Sequence, residues 1–316
     1  MPTNVILLAI AAGIMSAVVF ASATAGAMLF RVLLFLLTPL SLYLAGLGLG
    51  TVAATIAAVT ATITIFLIAN PLAAEVYAIS TAIPAVILTR LAQLSRGEDE
   101  DREWYPIGRL VVVAAAFAGV FASLAIILMG GDVDTLSKML RTVVESFVKS
   151  DLARLPGAPE VTSQQIDEIT QTTLSTLPWA LGLLAMSTTL LNLWLAGRIT
   201  LASGRLKRPW PDLAYFSMPP SATLVLLIAT AVSFTGGLPG LLAGGIAAPF
   251  LLAFALVGLG VVHVLTRNSP WQIFILTALY TGALIIPHVG LLLALGGLAE
   301  TIFHYRRAGP PPAAPH

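Results

Sequence analysis

The sequence predicts an all-α, polytopic transmembrane helical bundle, and three observations carry that prediction. The 316-residue chain is 58% hydrophobic, with a mean hydropathy of +0.94. Only 10% of it is charged, where soluble domains carry about 25%. Apolar runs close to the ~20 residues that cross a bilayer as a helix recur from one end to the other. Short alternating strands, the mark of a transmembrane barrel, are not visible.

Taken in order, the apolar segments fall at 4–27, 32–47, 50–69, 72–93, 107–129, 177–200, 219–236, 241–265, 271–286 and 289–304. They give about ten spans, or eight if either hairpin holding the short passes 32–47 and 289–304 is re-entrant. The first run follows no Lys or Arg, unlike the basic start of a signal peptide, and reads as a retained helix. "GLGLG" (46–50), "NP" (70–71) and "FTGGLPG" (234–240) are turn signals between runs. "IPHVG" (286–290) divides the last stretch. As one rod, Pro270 to Tyr305 would be about 50 Å long, too long for ~30 Å of hydrocarbon, so a hairpin fits better.

Basic residues orient the bundle. Arg90, Arg96, Arg102 and Arg109 share one break, and Arg198, Arg205, Lys207 and Arg208 another; Arg267 occupies a third. Arg306 and Arg307 follow the last span. With ten passes all of them fall on one side. The positive-inside rule makes that side, and both termini, cytoplasmic.

The opposite side carries the one long connection, 130–176. In "DTLSKMLRTVVESFVKSDLARL", Leu136, Met139, Leu140, Val143, Val144, Phe147, Val148, Leu152 and Leu155 form one helical stripe. Two readings fit: an interfacial helix in the headgroup layer, or a lid over an outward-facing cavity. Pro156-Gly157 ends the stripe, and Thr162 with Gln165 has capping-box spacing for a helix running on into the next span.

Composition excludes several functions. There is no cysteine, hence no disulfide and no thiolate metal site. A net charge of +1 argues against a nucleic-acid partner. No Walker loop, HExxH pair or nucleophile elbow occurs. His263 and His288 lie near opposite ends of their spans and form no metal pair. The expectation is a protein that is not an enzyme and holds no metal or cofactor.

Glu75 is the acidic residue that stands alone in the first 97 positions. Intramembrane carboxylates are costly and are usually paired or functional. Glu75 is expected about one turn into the outer leaflet, facing inward, with Arg31 in the preceding outer turn as a partner. Asn192, near mid-span, is expected to make an interhelical hydrogen bond. Arg198, Arg205, Lys207 and Arg208 are expected to snorkel to membrane lipids, with Asp212 pairing that cluster. Glu300, His304, Arg306 and Arg307 read as a salt-bridged cluster at the cytoplasmic end. On the first helix Ala9, Gly13, Ala17, Ala21 and Ala25 recur every four residues, a spacing that permits close helix approach. Either this chain's own helices or a separate membrane subunit can take that face.

"LLTPLSLYLAGLGLGTVAATIAAVTATI" (36–63) has a Pro before a short helix, a Gly-rich turn and a small-residue helix. This resembles the S components of energy-coupling factor vitamin transporters, six-helix subunits that bind substrate. Over its full length the chain resembles the bacterial YybS-like membrane proteins (domain-of-unknown-function family 2232), through "NLWLAGRI" (192–199), "RPWPDLAYFSMP" (208–219) and "GLLLALGGLAETIFHYRR" (290–307). The resemblance implies a bacterial inner-membrane protein with an S-component-like six-helix core at 1–204, loop 130–176 included. A four-span region at 205–305 and a Pro-rich, disordered tail at 306–316 follow. It implies small-molecule binding or transport, with a coupling membrane subunit and an ATPase as partners. Carried over by position, the ligand would meet Glu75, Tyr77 and Thr81 on the fourth span and Thr172, Thr173, Ser175 and Trp179 at the start of the sixth. The alternative is a membrane scaffold or assembly factor that holds partner proteins.

Overall fold

The computed structural model describes residues 1–23, 27–98, 101–150, 161–304 and 306. It is helical almost throughout. The helices are α1 (Thr3–Ser22), α2 (Met28–Leu37), α3 (Leu40–Leu49), α4 (Thr51–Ile68), α5 (Pro71–Tyr77), α6 (Ile83–Ala92), α7 (Ile107–Leu128), α8 (Val133–Ser150), α9 (Ser163–Ala202), α10 (Pro220–Ser233), α11 (Gly237–Thr266), α12 (Gln272–Ile285) and α13 (Pro287–Phe303). A two-residue antiparallel pair, Ser95–Arg96 with Glu103–Trp104, closes the turn between α6 and α7.

Each of the ten apolar segments is helical. Seven spans are long and apolar enough to cross a membrane: α1, α2–α3, α4, α5–α6, α7, α9 and α11. The pair α12–α13 adds an eighth if counted as one span, although its axis turns by 116° at Ile286-Pro287. The segment expected at 219–236 is a 14-residue apolar helix, α10. Ala25, Leu152, Leu155, Pro156-Gly157 and the 307–316 tail lie outside the described residues.

Two spans are broken, each for a local reason. Pro39 has no N–H and cannot continue the helix begun by α2. Three side chains occupy the break. Ser16 Oγ donates to the Thr38 carbonyl (2.6 Å) and sits 2.6 Å from Tyr77 Oη. The serine has one proton to give, so the tyrosine donates to it. Asn192 Nδ2 donates to the Leu36 carbonyl (2.6 Å) and to Thr188 O (2.7 Å). In the fourth span Asn70 caps α5 by accepting from Ala73 N (2.8 Å), with Pro71 in the first turn. Pro84 then disturbs the ladder, and residues Ala78–Ala82 wind as a π turn ahead of α6.

The small-residue stripe of α1 is used within the chain. Ala9, Gly13 and Ala17 are buried, with Ala21 half-buried beyond them. A Cβ on Gly13 would come within 2.4 Å of the Ala57 carbonyl of α4. α4 answers with buried Ala53, Ala54, Ala57, Ala58 and Ala61. The expected docking face for a coupling subunit is therefore occupied by α4, because two alanine-rich helices gain most from touching each other.

One apolar core runs from Ala17 on α1 to Ala294 on α13. The division at residue 204 thus marks a linker, not a boundary between two cores. α11 lies at the centre, against α7, α9, α10 and α13. Gly258 and Gly297 meet there, each without room for a Cβ against the other helix's backbone.

At the end opposite the basic breaks, Thr162 and Gln165 form the expected capping box. α9 then runs unbroken for 40 residues into the span, about 60 Å. α8 lies against it. Leu136 and Leu140 are buried with Ile126 and Leu174, while Val143 and Phe147 on the same stripe stay exposed. The first half of α8 therefore packs on the bundle, and the second half leaves its apolar residues exposed. Arg141 ties the arm down, 3.0 Å from Glu145 and 2.7 Å from Asp167 of α9.

Two outcomes follow. Asn192→Ala frees the Leu36 carbonyl inside the bundle, and detergent unfolding should register a loss of about 1–2 kcal/mol. An unchanged midpoint would show that the break needs no partner. The hydrogen bond from Arg141, with Lys149 nearby, holds the Glu145 carboxyl below the usual range. A depressed carboxylate stabilises above its unfolded pKa and loses that contribution as pH falls through the folded one. Exchange protection of α8, corrected for intrinsic rates, should therefore decline below about pH 4.5. In Arg141→Ala that decline should be smaller but not absent, because Asp132, which accepts from Thr135 N at the start of α8, is also held below its ordinary value and Lys149 remains near Glu145.

Candidate functional site

The linker 203–219, "SGRLKRPWPDLAYFSMP", joins α9 to α10. Pro209, Pro211 and Pro219 keep it from becoming helix. Gly204 takes a positive φ of 67° past the end of α9, and Arg205 N returns to the Thr200 carbonyl (2.9 Å). The chain is thereby turned back under the bundle.

It is then held there by backbone contacts and arginines. A Cβ on Gly108, at the start of α7, would lie 1.7 Å from the Ser217 carbonyl. The ring of Trp210 lies against Gly197 of α9, and the Ala214 carbonyl against Gly260 of α11. Arg306 donates to the carbonyls of Ala214 and Phe216 and to the Glu300 carboxylate (3.0 Å). That ion pair is buried, with side chains 5% and 6% exposed. Arg198 stacks on Trp210, and Arg267 stacks on Tyr215 while reaching Asp212 at 3.6 Å. Asp212 thus pairs with the next loop, not with the Arg205–Arg208 cluster. All the basic breaks meet at this one end, as expected from their spacing.

Between linker and helices lies a cavity of about 550 Å³. Its walls are α7 (Leu110, Val111), α9 (Leu190 to Gly197) and α11 (Leu256, Leu259, His263). The linker supplies Leu206, Arg208, Trp210, Leu213 and Phe216, and α12 supplies Tyr280. The lining is almost wholly apolar. His263 Nδ1 is 2.9 Å from the Leu259 carbonyl, and its Nε2 is 3.4 Å from Tyr280 Oη.

Arg208 is the cation in this lining. Its Nη1 donates to the Ala92 carbonyl (3.2 Å), and the guanidinium lies 5.9 Å from the Trp104 ring. Its Nε is buried without a hydrogen-bond partner among the described residues. Burial pulls the guanidinium pKa below its ordinary value, yet arginine stays charged in proteins. The expected headgroup role therefore fits the exposed Arg205 and Lys207 better than half-buried Arg208. A second, more open cavity of about 380 Å³ lies between α4 and the π turn, lined by Thr55, Thr62, Ala78, Ala82 and apolar neighbours.

The residues carried over from the resemblance are not brought together. Glu75 is exposed, because Ala74 and Tyr77 take the inward positions of the short α5. Arg31 lies on α2, exposed, its Nε directed at the Ala23 carbonyl (3.4 Å), and no Arg31–Glu75 ion pair forms. The inward-facing carboxylate pair is thus corrected. Tyr77 is buried and committed to Ser16 and to an edge contact with Phe20. Thr81 is half-buried in the π turn, 3.2 Å from the Ser80 hydroxyl. Thr172 is exposed and donates to the Glu168 carbonyl. Trp179 packs against α11, where a Cβ on Gly244 would meet its indole nitrogen. None of these six lines either cavity. The residues that do were visible as the linker motif at 208–219, but a proline-broken segment discloses no partners until it folds back. Among the described residues no His, Asp and Glu group could hold a metal ion.

The family model described as "Predicted membrane protein (DUF2232)" matches residues 14–301. That range includes the linker, α10 to α12 and α13 up to residue 301. No curated protein and no solved structure matches the chain.

Gly108→Ala tests the seat of the linker, since backbone and not a flexible side chain opposes the new methyl. Overpacking of this kind costs about 1–3 kcal/mol. The variant should unfold earlier in detergent and expose Trp210 to aqueous quencher; a wild-type melt and quench would show that the linker is loosely seated.

Proposed function

The chain belongs to the DUF2232 family of predicted membrane proteins, and from that premise we propose that it binds a small molecule with an apolar body within the membrane and belongs to the transport class. The observation that carries the reading is the roughly 550 Å³ cavity. Small-molecule sites are typically concave, mostly apolar and about 300–1,000 Å³, with a few placed polar groups. Here Arg208, His263 and Tyr280 are those groups. Exposed Leu191, Trp194, Leu213 and Tyr280 rim the cavity, giving it an apolar mouth.

A further feature supports transport over scaffolding. The α2–α3 break and the π turn interrupt neighbouring spans, and interrupted helices are characteristic of transporters. The S-component likeness enters here as the source of the transport reading, with a bacterial inner membrane and the basic end in the cytoplasm. On this reading substrate meets the chain at the cytoplasmic-side cavity, not in the outer half.

Leu259→Trp fills the cavity without touching Arg208. A neutral alkyl diazirine, photolysed with protein in nanodiscs, should label peptides 190–197, 206–216 and 256–263 in the wild type. The variant should lose most of that labelling while keeping its melting point. Equal labelling in both would show that the probe reads only the lipid-facing surface.

A further inference from the structure

We propose that the cavity selects an anionic amphiphile, with the charged head on Arg208 and the apolar body among Leu190, Leu193, Leu213 and Leu259. This rests on the reading of the cavity as a ligand site and adds the ligand's chemical class.

Three observations converge on that class. First, no Asp or Glu lines the cavity, so its one formal charge is the Arg208 guanidinium. Asp212 in the same linker is exposed and faces Arg267. Secondly, Arg208 lacks a counter-charge. Its Nη1 serves the Ala92 and Tyr105 carbonyls and its plane lies near Trp104, but among the described residues no carboxylate pairs with it. A half-buried cation without a counter-ion is costly, and a carboxylate or phosphate oxygen at its cavity-facing edge is the partner that offsets that cost best. Arg306, the neighbouring buried arginine, has both Glu300 and the linker carbonyls. The contrast separates a paired, structural arginine from one that lines a cavity without a counter-ion. Thirdly, the rim selects for the rest of the ligand. Its mouth is apolar at Leu191, Trp194 and Leu213, exposed on helix and linker. Exposed Arg90, Arg109, Arg205 and Lys207 surround the same end and raise the local concentration of anions. A free inorganic anion would satisfy Arg208 and leave the apolar walls unused. A neutral apolar molecule would fill the walls and leave the Arg208 guanidinium without a counter-charge.

Neighbouring chemistry is shared by two sources, a bilayer lipid and a free single-chain amphiphile, and the experiment separates them. Wild-type protein in phosphatidylcholine nanodiscs is photolabelled with four diazirine probes: dodecyl phosphate, chain-matched dodecyl trimethylammonium, an uncharged dodecyl ether, and phosphatidic acid. The phosphate probe should label peptides 190–197, 206–216 and 256–263 about tenfold or more above the ammonium probe, the size of one charge-assisted hydrogen bond. Excess inorganic phosphate should not compete. Arg208→Gln should erase the preference and Arg208→Lys should keep part of it; the head-group comparison on the wild type stands even if Arg208→Gln fails to fold. Labelling by phosphatidic acid assigns the ligand to the bilayer, and labelling by dodecyl phosphate alone assigns it to a free amphiphile. Equal labelling by all heads overturns the anion selection and leaves the cavity reading intact. No labelling of these peptides by any probe overturns both.

Discussion

Inside hydrocarbon a backbone carbonyl released from its helix has no water to turn to, and this fold is organised around that constraint. Pro39 breaks the second span. The carbonyls around the break are met by Ser16 from α1 and Asn192 from α9. Those two side chains come from 23 residues upstream of the proline and about 150 downstream, so satisfying one break draws three spans together. Tyr77 joins through Ser16 and brings in the fourth span. Ser16 Oγ and Asn192 Nδ2 at the centre of the bundle are thus committed to backbone carbonyls.

The basic end uses a different device. A linker with three prolines has few internal hydrogen bonds and would ordinarily be solvated. Here glycines on α7, α9 and α11 let its backbone and rings lie directly on the helices. Arg306 then neutralises its carbonyls, and Glu300 neutralises Arg306. A desolvated ion pair is stable only when its remaining donors are satisfied, and the Ala214 and Phe216 carbonyls satisfy them. The packing of α13 and the shape of the cavity floor are therefore coupled.

α9 links the two ends. It begins at a capping box beside α8, gives Asn192 to the α2–α3 break, forms one wall of the cavity and ends under Trp210. The buried Gly258–Gly297 contact fixes α13 against α11.

Sequence alone determined the membrane class, the helical breaks at Asn70-Pro71 and 286–290, the gathering of basic residues at one end and the Thr162–Gln165 cap. Each of these depends on local composition or on spacing along one helix. Asn192 as an interhelical donor and Glu300 with Arg306 were also legible, because a polar group in an apolar run must find a partner. Tertiary structure decided which partner and which face. Glu75 is flanked by residues small enough to face either way, so periodicity over the seven residues of α5 could not place it, and packing of Tyr77 turned it outward. The α1 stripe announced a close contact but not with whom, since alanine-rich surfaces are interchangeable until α4 fills one. The cavity was the least legible, because its walls come from six helices and a linker far apart in sequence, and only their convergence encloses a volume.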